Sequence, residues 1–105
     1  MSDIKHLDTK NFKSFTSKGK SVIDFYADWC GPCKIMAPHF EKASQKVKDV
    51  KFAKVDIEKD YDLASEFEVM SIPTTIFFED GEMIDRYTGA MSLAEIEKMI
   101  KDNFD

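Results

Sequence analysis

Cys30 and Cys33 are the only cysteines in the chain, and they lie in the run Trp29-Cys30-Gly31-Pro32-Cys33, directly after the apolar stretch Val22 to Ala27. That spacing suits thiol–disulfide chemistry. If a strand ends near Ala27 and a helix begins just beyond Cys30, the first thiol stands at the helix N-terminus and the second lies one turn inside. Residues three apart on a helix share a face. Their Cα atoms are then roughly 5–6 Å apart, within the range that a disulfide requires, so the pair can close and open with little backbone movement. Cys30 is the expected nucleophile, because free N–H groups and the positive end of the helix dipole favour a thiolate there. Its thiolate would attack a substrate disulfide, and Cys33, one turn deeper and shielded, would resolve the mixed disulfide. Gly31 and Pro32 let the chain enter the helix tightly, with Pro32 at a first-turn position where its missing N–H costs nothing. The competing chemistry is a metal half-site. Four-coordinate zinc needs two further ligands, and only His6, His39 or carboxylates could supply them, so no metal is expected.

Asp24 is a carboxyl in the middle of an apolar strand. Two readings compete. Side-chain alternation can turn it to water, as for most carboxylates, or a central strand covered on both faces can bury it and raise its pKa. Trp29 beside Cys30 is expected to be partly exposed rather than core. His6 and His39 read as surface residues without a catalytic role, and Met91, Met99 and the other methionines read as core filling or incidental exposure.

A chain of 105 residues can bury a core of its own, so the cysteines are not needed as a staple. The net charge of -5 argues against nucleic acid or an anionic membrane as the main partner. No segment approaches the roughly 20 apolar residues of a membrane span, and Met1-Ser2-Asp3 opens into polar sequence without a signal-peptide core. The cytoplasm is the expected location, although a mature exported protein would read the same. In a reducing compartment a cysteine pair is chemical rather than structural.

No repeat, linker or low-complexity run divides the sequence, and residues 1–105 read as one domain. Phe12 and Phe15 mark one face of a short helix that Asp8 or Thr9 could cap. Ser21 to Ala27 reads as a central strand of a parallel sheet. From Pro32 to Val47 the apolar positions Ile35, Met36, Phe40, Ala43 and Val47 follow helical spacing, with Pro38 expected to kink the helix rather than end it. Val50 to Ile57 is the next strand, and Asp60 to Phe67 a short helix with Leu63, Ala64 and Phe67 inward. Ile72 to Phe78 then turns at Glu79-Asp80-Gly81-Glu82 into Met83 to Tyr87, a hairpin pattern. Ser92-Leu93-Ala94-Glu95 has capping-box spacing ahead of the stripe Leu93, Ile96, Ile100. The order βαβαβαββα predicts an α/β fold with helices on both faces of a mixed sheet.

End to end, the chain resembles the thioredoxin family. The resemblance is carried by Asp24-Phe25 ahead of Trp29-Cys30-Gly31-Pro32-Cys33-Lys34, then Pro38, Lys54, Ile72-Pro73-Thr74, Gly81 and Gly89 in that order. A bare C-x-x-C would be weak evidence; the ordered set is specific. Tyr26 stands where a tryptophan is common in the family, and Ser71 where a glycine is common. The resemblance implies a three-layer domain with a central five-stranded sheet, order 1-3-2-4-5, flanked by four helices. It implies a protein-disulfide reductase, an electron carrier that is re-reduced by a thioredoxin reductase and serves disulfide-containing target proteins. No tightly bound cofactor is expected, and a monomer is the default state. It further implies that Asp24 exchanges a proton with Cys33, that Lys54 approaches Asp24, that Pro73 follows a cis bond, and that Trp29, Ile72, Pro73, Gly89 and Ala90 line the docking surface. A histidine between the cysteines, as in the related oxidases and isomerases, would stabilise the thiolate; its absence favours a reductant, the ordering known for this family. A purely adhesive module using the same groove is the reading from a different class.

Overall fold

The computed structural model describes residues 4–104; the reading of Met1-Ser2-Asp3 lies outside them. Nine elements follow in chain order: β1 (Lys5–His6), α1 (Phe12–Thr16), β2 (Lys20–Tyr26), α2 (Gly31–Lys46), β3 (Val50–Asp56), α3 (Tyr61–Glu66), β4 (Thr74–Glu79), β5 (Glu82–Thr88) and α4 (Leu93–Phe104). The strands form one mixed sheet in the order β1-β3-β2-β4-β5. β3 runs parallel to both β1 and β2, whereas β4 is antiparallel to β2 and to β5. This is the thioredoxin-type architecture that the resemblance implied.

β2 is central because it is apolar on both sides. Val22 packs with Met36 and Phe40 of α2 and with Ile96, Ile100 and Phe104 of α4. Ile23 and Phe25 pack on the opposite face with Phe12 of α1 and Leu63 of α3. Alternation along the strand therefore places Val22, Asp24 and Tyr26 on the α2/α4 side. α2 continues through Pro38, an exposed position. Ile35, expected in the inward stripe, is instead 67% exposed. The buried positions of that helix are Cys33, Met36, Phe40 and Ala43, and Ile35 precedes Met36 by one residue, about 100° around the helix.

The first helix also starts later than expected. Its N-cap is Asn11, while the Asp8 carboxylate accepts the N–H groups of Lys10 and Asn11 in the turn before it. The capping box of α4 forms as its spacing predicts: the Ser92 N–H donates to Glu95, and the Glu95 N–H donates to the Ser92 hydroxyl. The Ser92 backbone N–H, and after it the Ser92 hydroxyl, hold the exposed Glu95 carboxyl below its ordinary pKa.

The hairpin turn needs two residues with positive φ, and Asp80 (51°) and Gly81 (88°) supply them. Such a two-residue connection matches the twist of the strands it joins. A Cβ on Gly81 would meet the Ser17 backbone only at ordinary contact, 3.7 Å, so conformation and not crowding sets the cost of substitution. Gly81→Ala should lower unfolding stability by about 1 kcal/mol. A denaturant midpoint equal to that of the parent protein would show that the turn relaxes without strain.

Candidate active site

The end of β2 delivers the chain into α2 through one tight turn, in which the Cys30 N–H donates to the Ala27 carbonyl at 3.2 Å. Cys30 is the N-cap of α2, in extended conformation, with Pro32 in the first turn. Its Sγ accepts the Cys33 N–H at 3.2 Å. The two cysteines are joined as a disulfide with a Cα–Cα distance of 5.3 Å, as the helical spacing requires. The helix N-terminus thus aims an N–H and its positive end at one sulfur.

Shielding does not distinguish the cysteines as expected, since both are only 4% exposed in the disulfide form. Tyr26, Ile57 and Ile72 pack around Ala27, Cys30 and Cys33, and the Ile72 carbonyl oxygen lies 3.8 Å from Cys30 Sγ. What separates them is the helix: Cys30 caps it, and Cys33 lies within it.

Trp29 is 65% exposed, and its indole N–H donates to Glu58 at 2.6 Å. Sequence reading missed Glu58, because no local pattern links an acidic residue after β3 to a tryptophan 29 positions earlier. The Ile72–Pro73 bond is cis. Pro73 is buried, and its carbonyl accepts the Gly89 N–H at 2.8 Å. Of the five residues expected to form a docking surface, Trp29, half-buried Ile72, half-buried Gly89 and exposed Ala90 have accessible surface, whereas Pro73 is buried. Gly89 holds φ at 119°, a conformation that residues with a Cβ rarely adopt. Gly31 is exposed beside Pro32.

Asp24 is buried on the face covered by α2, the helix that carries Cys33, and neither carboxyl oxygen finds a hydrogen-bond partner among the described residues. Burial pushes its pKa up to about 7, with the Lys54 ammonium drawing it back down. Lys54 is directly opposite Asp24 in the parallel β2/β3 register. Its Nζ lies 4.8 Å from the Tyr26 ring centre, and the Tyr26 hydroxyl is 3.2 Å from His6 Nδ1. Burial raises the Tyr26 pKa, as do the carboxylates of Asp56, Asp28 and Asp24. A cleft of about 150 Å³ opens here between Tyr26, Ala27, Cys33, Ala37 and Lys54. His6 is exposed, as expected, and its ring borders the site through Tyr26. His39 is likewise more than a surface residue: its Nδ1 accepts the Leu93 N–H at 3.2 Å and ties α2 to the start of α4. Met91 and Met36 are core, whereas Met70 is exposed. Among the described residues no cluster of three or more histidine, cysteine, aspartate or glutamate side chains is placed to hold a metal ion.

Residues 3–102 match the family model described as Thioredoxin. A thioredoxin of Mycoplasmoides gallisepticum is 49% identical over 82 residues, 78% of this chain and 82% of the relative. A thioredoxin of Chlamydia caviae is 37% identical over 95% of this chain and 98% of its own length. Among solved structures, oxidized mitochondrial thioredoxin 3 of Saccharomyces cerevisiae superimposes with a TM-score of 0.87 at 42% identity, covering 94% of each chain.

Proposed function

Because this chain belongs to the thioredoxin family, whose members are thiol–disulfide oxidoreductases that reduce disulfides in protein targets, we propose that Cys30 is its attacking thiol and Cys33 its resolving thiol. The observation that carries the assignment is the Cys33 N–H directed at Cys30 Sγ from the first turn of α2. A thiolate on Cys30 attacks one sulfur of the target disulfide and expels the other as a thiolate. Asp24 removes the proton of Cys33 as a general base, and the Cys33 thiolate attacks the Cys30 sulfur of the mixed disulfide. The target leaves as a dithiol, two electrons and two protons richer, and the Cys30–Cys33 disulfide remains.

Lys54, across the strand pair from Asp24, tunes that carboxyl. Gly31 and Pro32 keep the inter-cysteine turn tight and uncharged, which favours the reducing direction. Trp29, Ile72, Gly89 and Ala90 form the docking surface, with Pro73 holding its loop, and the target strand pairs with backbone groups there in a short β-like segment. A thioredoxin reductase returns the electrons. The acidic charge fits a cytoplasmic site of action; one similar relative is a mitochondrial yeast thioredoxin, and no described helix is long and apolar enough to cross a membrane.

Cys33→Ser tests the order of events. Incubated with a disulfide-containing protein, it should accumulate a covalent mixed disulfide through Cys30, seen by mass spectrometry and released by dithiothreitol. A mixed disulfide that accumulates only in Cys30→Ser would reverse the two roles.

A further inference from the structure

One buried hydroxyl beside the site has no part in the mechanism above. Thr75 is fully buried in β4, and its Oγ1 finds no hydrogen-bond partner among the described residues. The antiparallel β2/β4 register places Thr75 directly opposite Asp24. The next pairs along share its face: Val22 lies opposite Phe77, and both belong to the core under α2 and α4. Alternation therefore puts Thr75 and Asp24 side by side on that same face. Directly opposed residues have Cβ atoms about 4.5–5.5 Å apart, within reach of a hydroxyl–carboxylate hydrogen bond after rotation about χ1 of the threonine. A hydroxyl and a carboxyl that are both buried and unpartnered on neighbouring strands can satisfy one another without either giving up an existing hydrogen bond.

We propose that Thr75 is a positioning residue for Asp24, its hydroxyl donating to the Asp24 carboxylate from the β4 side while Lys54 approaches from β3. The hydroxyl anchors the carboxylate and favours its charged form. Asp24 then has a charged neighbour on one flank and a neutral donor on the other. The remaining groups around it are Tyr26 on its own strand, with Asp28 and Asp56 near that phenol, Cys33 on α2, and His6, opposite Lys54 in β1. None of these lies on β4, so that flank of the carboxyl depends on Thr75. The catalytic consequence, though not the contact itself, rests on Asp24 being the proton-transfer group.

Thr75→Val is the test, since it keeps the shape and β-branching and removes only the hydroxyl. The carboxyl of Asp24 is titrated by carbon-detected NMR in the parent protein, Thr75→Val and Thr75→Ser. The pH dependence of protein-disulfide reduction is recorded for the same three proteins and for Asp24→Asn. Thr75→Val should raise the carboxyl midpoint by about one pH unit, a tenfold change in proton affinity, and Thr75→Ser should restore it. The rate profile should move with the titration. An unmoved midpoint in Thr75→Val overturns the proposal, and the reading of Asp24 then survives if Asp24→Asn still removes that limb of the profile. A midpoint that moves while Asp24→Asn leaves the profile intact upholds the Thr75 contact and sinks the proton-transfer role instead.

Discussion

Cys30→Ser is expected to lower the rate of protein-disulfide reduction by at least roughly three orders of magnitude, the scale seen when a nucleophile acting as part of a unit is removed. The cause is chemical rather than structural. A helix N-terminus can bring a thiol of ordinary pKa about 8.5 into the range where the thiolate is populated near neutrality, but it cannot do the same for a serine hydroxyl. Serine also cannot form the mixed disulfide on which the second step depends. It does cap helices well, so α2 should persist, and circular dichroism should show an unchanged fold. The rate is read with a disulfide-containing protein and an excess of dithiol donor. A variant retaining a tenth of the parent rate would move the attack to Cys33. Unaltered capture of a target by Cys30→Ser would show that an adhesive role is separable from the redox chemistry.

Asp24→Asn carries the second large effect, in two measurements of opposite sign. Turnover should fall by about tenfold or more, because the amide cannot take the proton of Cys33, and the limb of the pH profile near 7 should disappear. Stability should rise. Burial lifts the folded-state pKa of Asp24 to about 7 from an ordinary value of 3.8. The folded protein therefore holds this proton more tightly than the unfolded chain does, and stability falls as pH climbs between those two values. Below the window the carboxyl is protonated in both states and costs nothing through ionisation. Above pH 7 the penalty is complete, about 4 kcal/mol at roughly 1.36 kcal/mol per pH unit. Asparagine has no such term. Denaturant unfolding of the two proteins at pH 4.5 and pH 8 should therefore show a gap that widens with pH in favour of Asp24→Asn. A constant gap would mean that Asp24 ionises as readily inside the fold as in the unfolded chain, so that burial does not raise its pKa. Because the same substitution should slow turnover, a fast and more stable variant would separate the buried charge from the chemistry.

Much of the fold was legible because its core strands and helices carry strong periodic patterns. The Asp80-Gly81 turn and the Ser92 to Glu95 box stand on contacts between near neighbours, and the structure places both as read, while the β-branched run through Phe77-Phe78 forms a strand that begins at Thr74, two residues later than read. Where local signals were weak, the reading slipped. β1, counted in the predicted order but given no range, is two residues long and defined only by its pairing with β3. Ile35 fitted helical spacing as well as Met36 did, and which of two adjacent apolar residues turns inward depends on how α2 is rotated against the sheet. The late start of α1 came from Asp8 and Asn11 using their side chains within the preceding turn, a competition between cap and turn that residue types alone leave open.

The chemistry divides along the same line. By itself the sequence determined the redox pair, because two cysteines at helical spacing behind a strand need only local geometry to reach 5.3 Å between their Cα atoms. It also determined that a carboxyl would lie within a core strand. Tertiary structure alone decided what that carboxyl faces: Lys54 from β3 and Thr75 from β4, some 30 and 51 positions along the chain, arrive by strand register. The pairing of Trp29 with Glu58, of Tyr26 with His6, and of His39 with the start of α4 was decided the same way. Pattern along a chain reports the face on which a side chain lies, whereas its neighbour on that face is set by how strands and helices pack together.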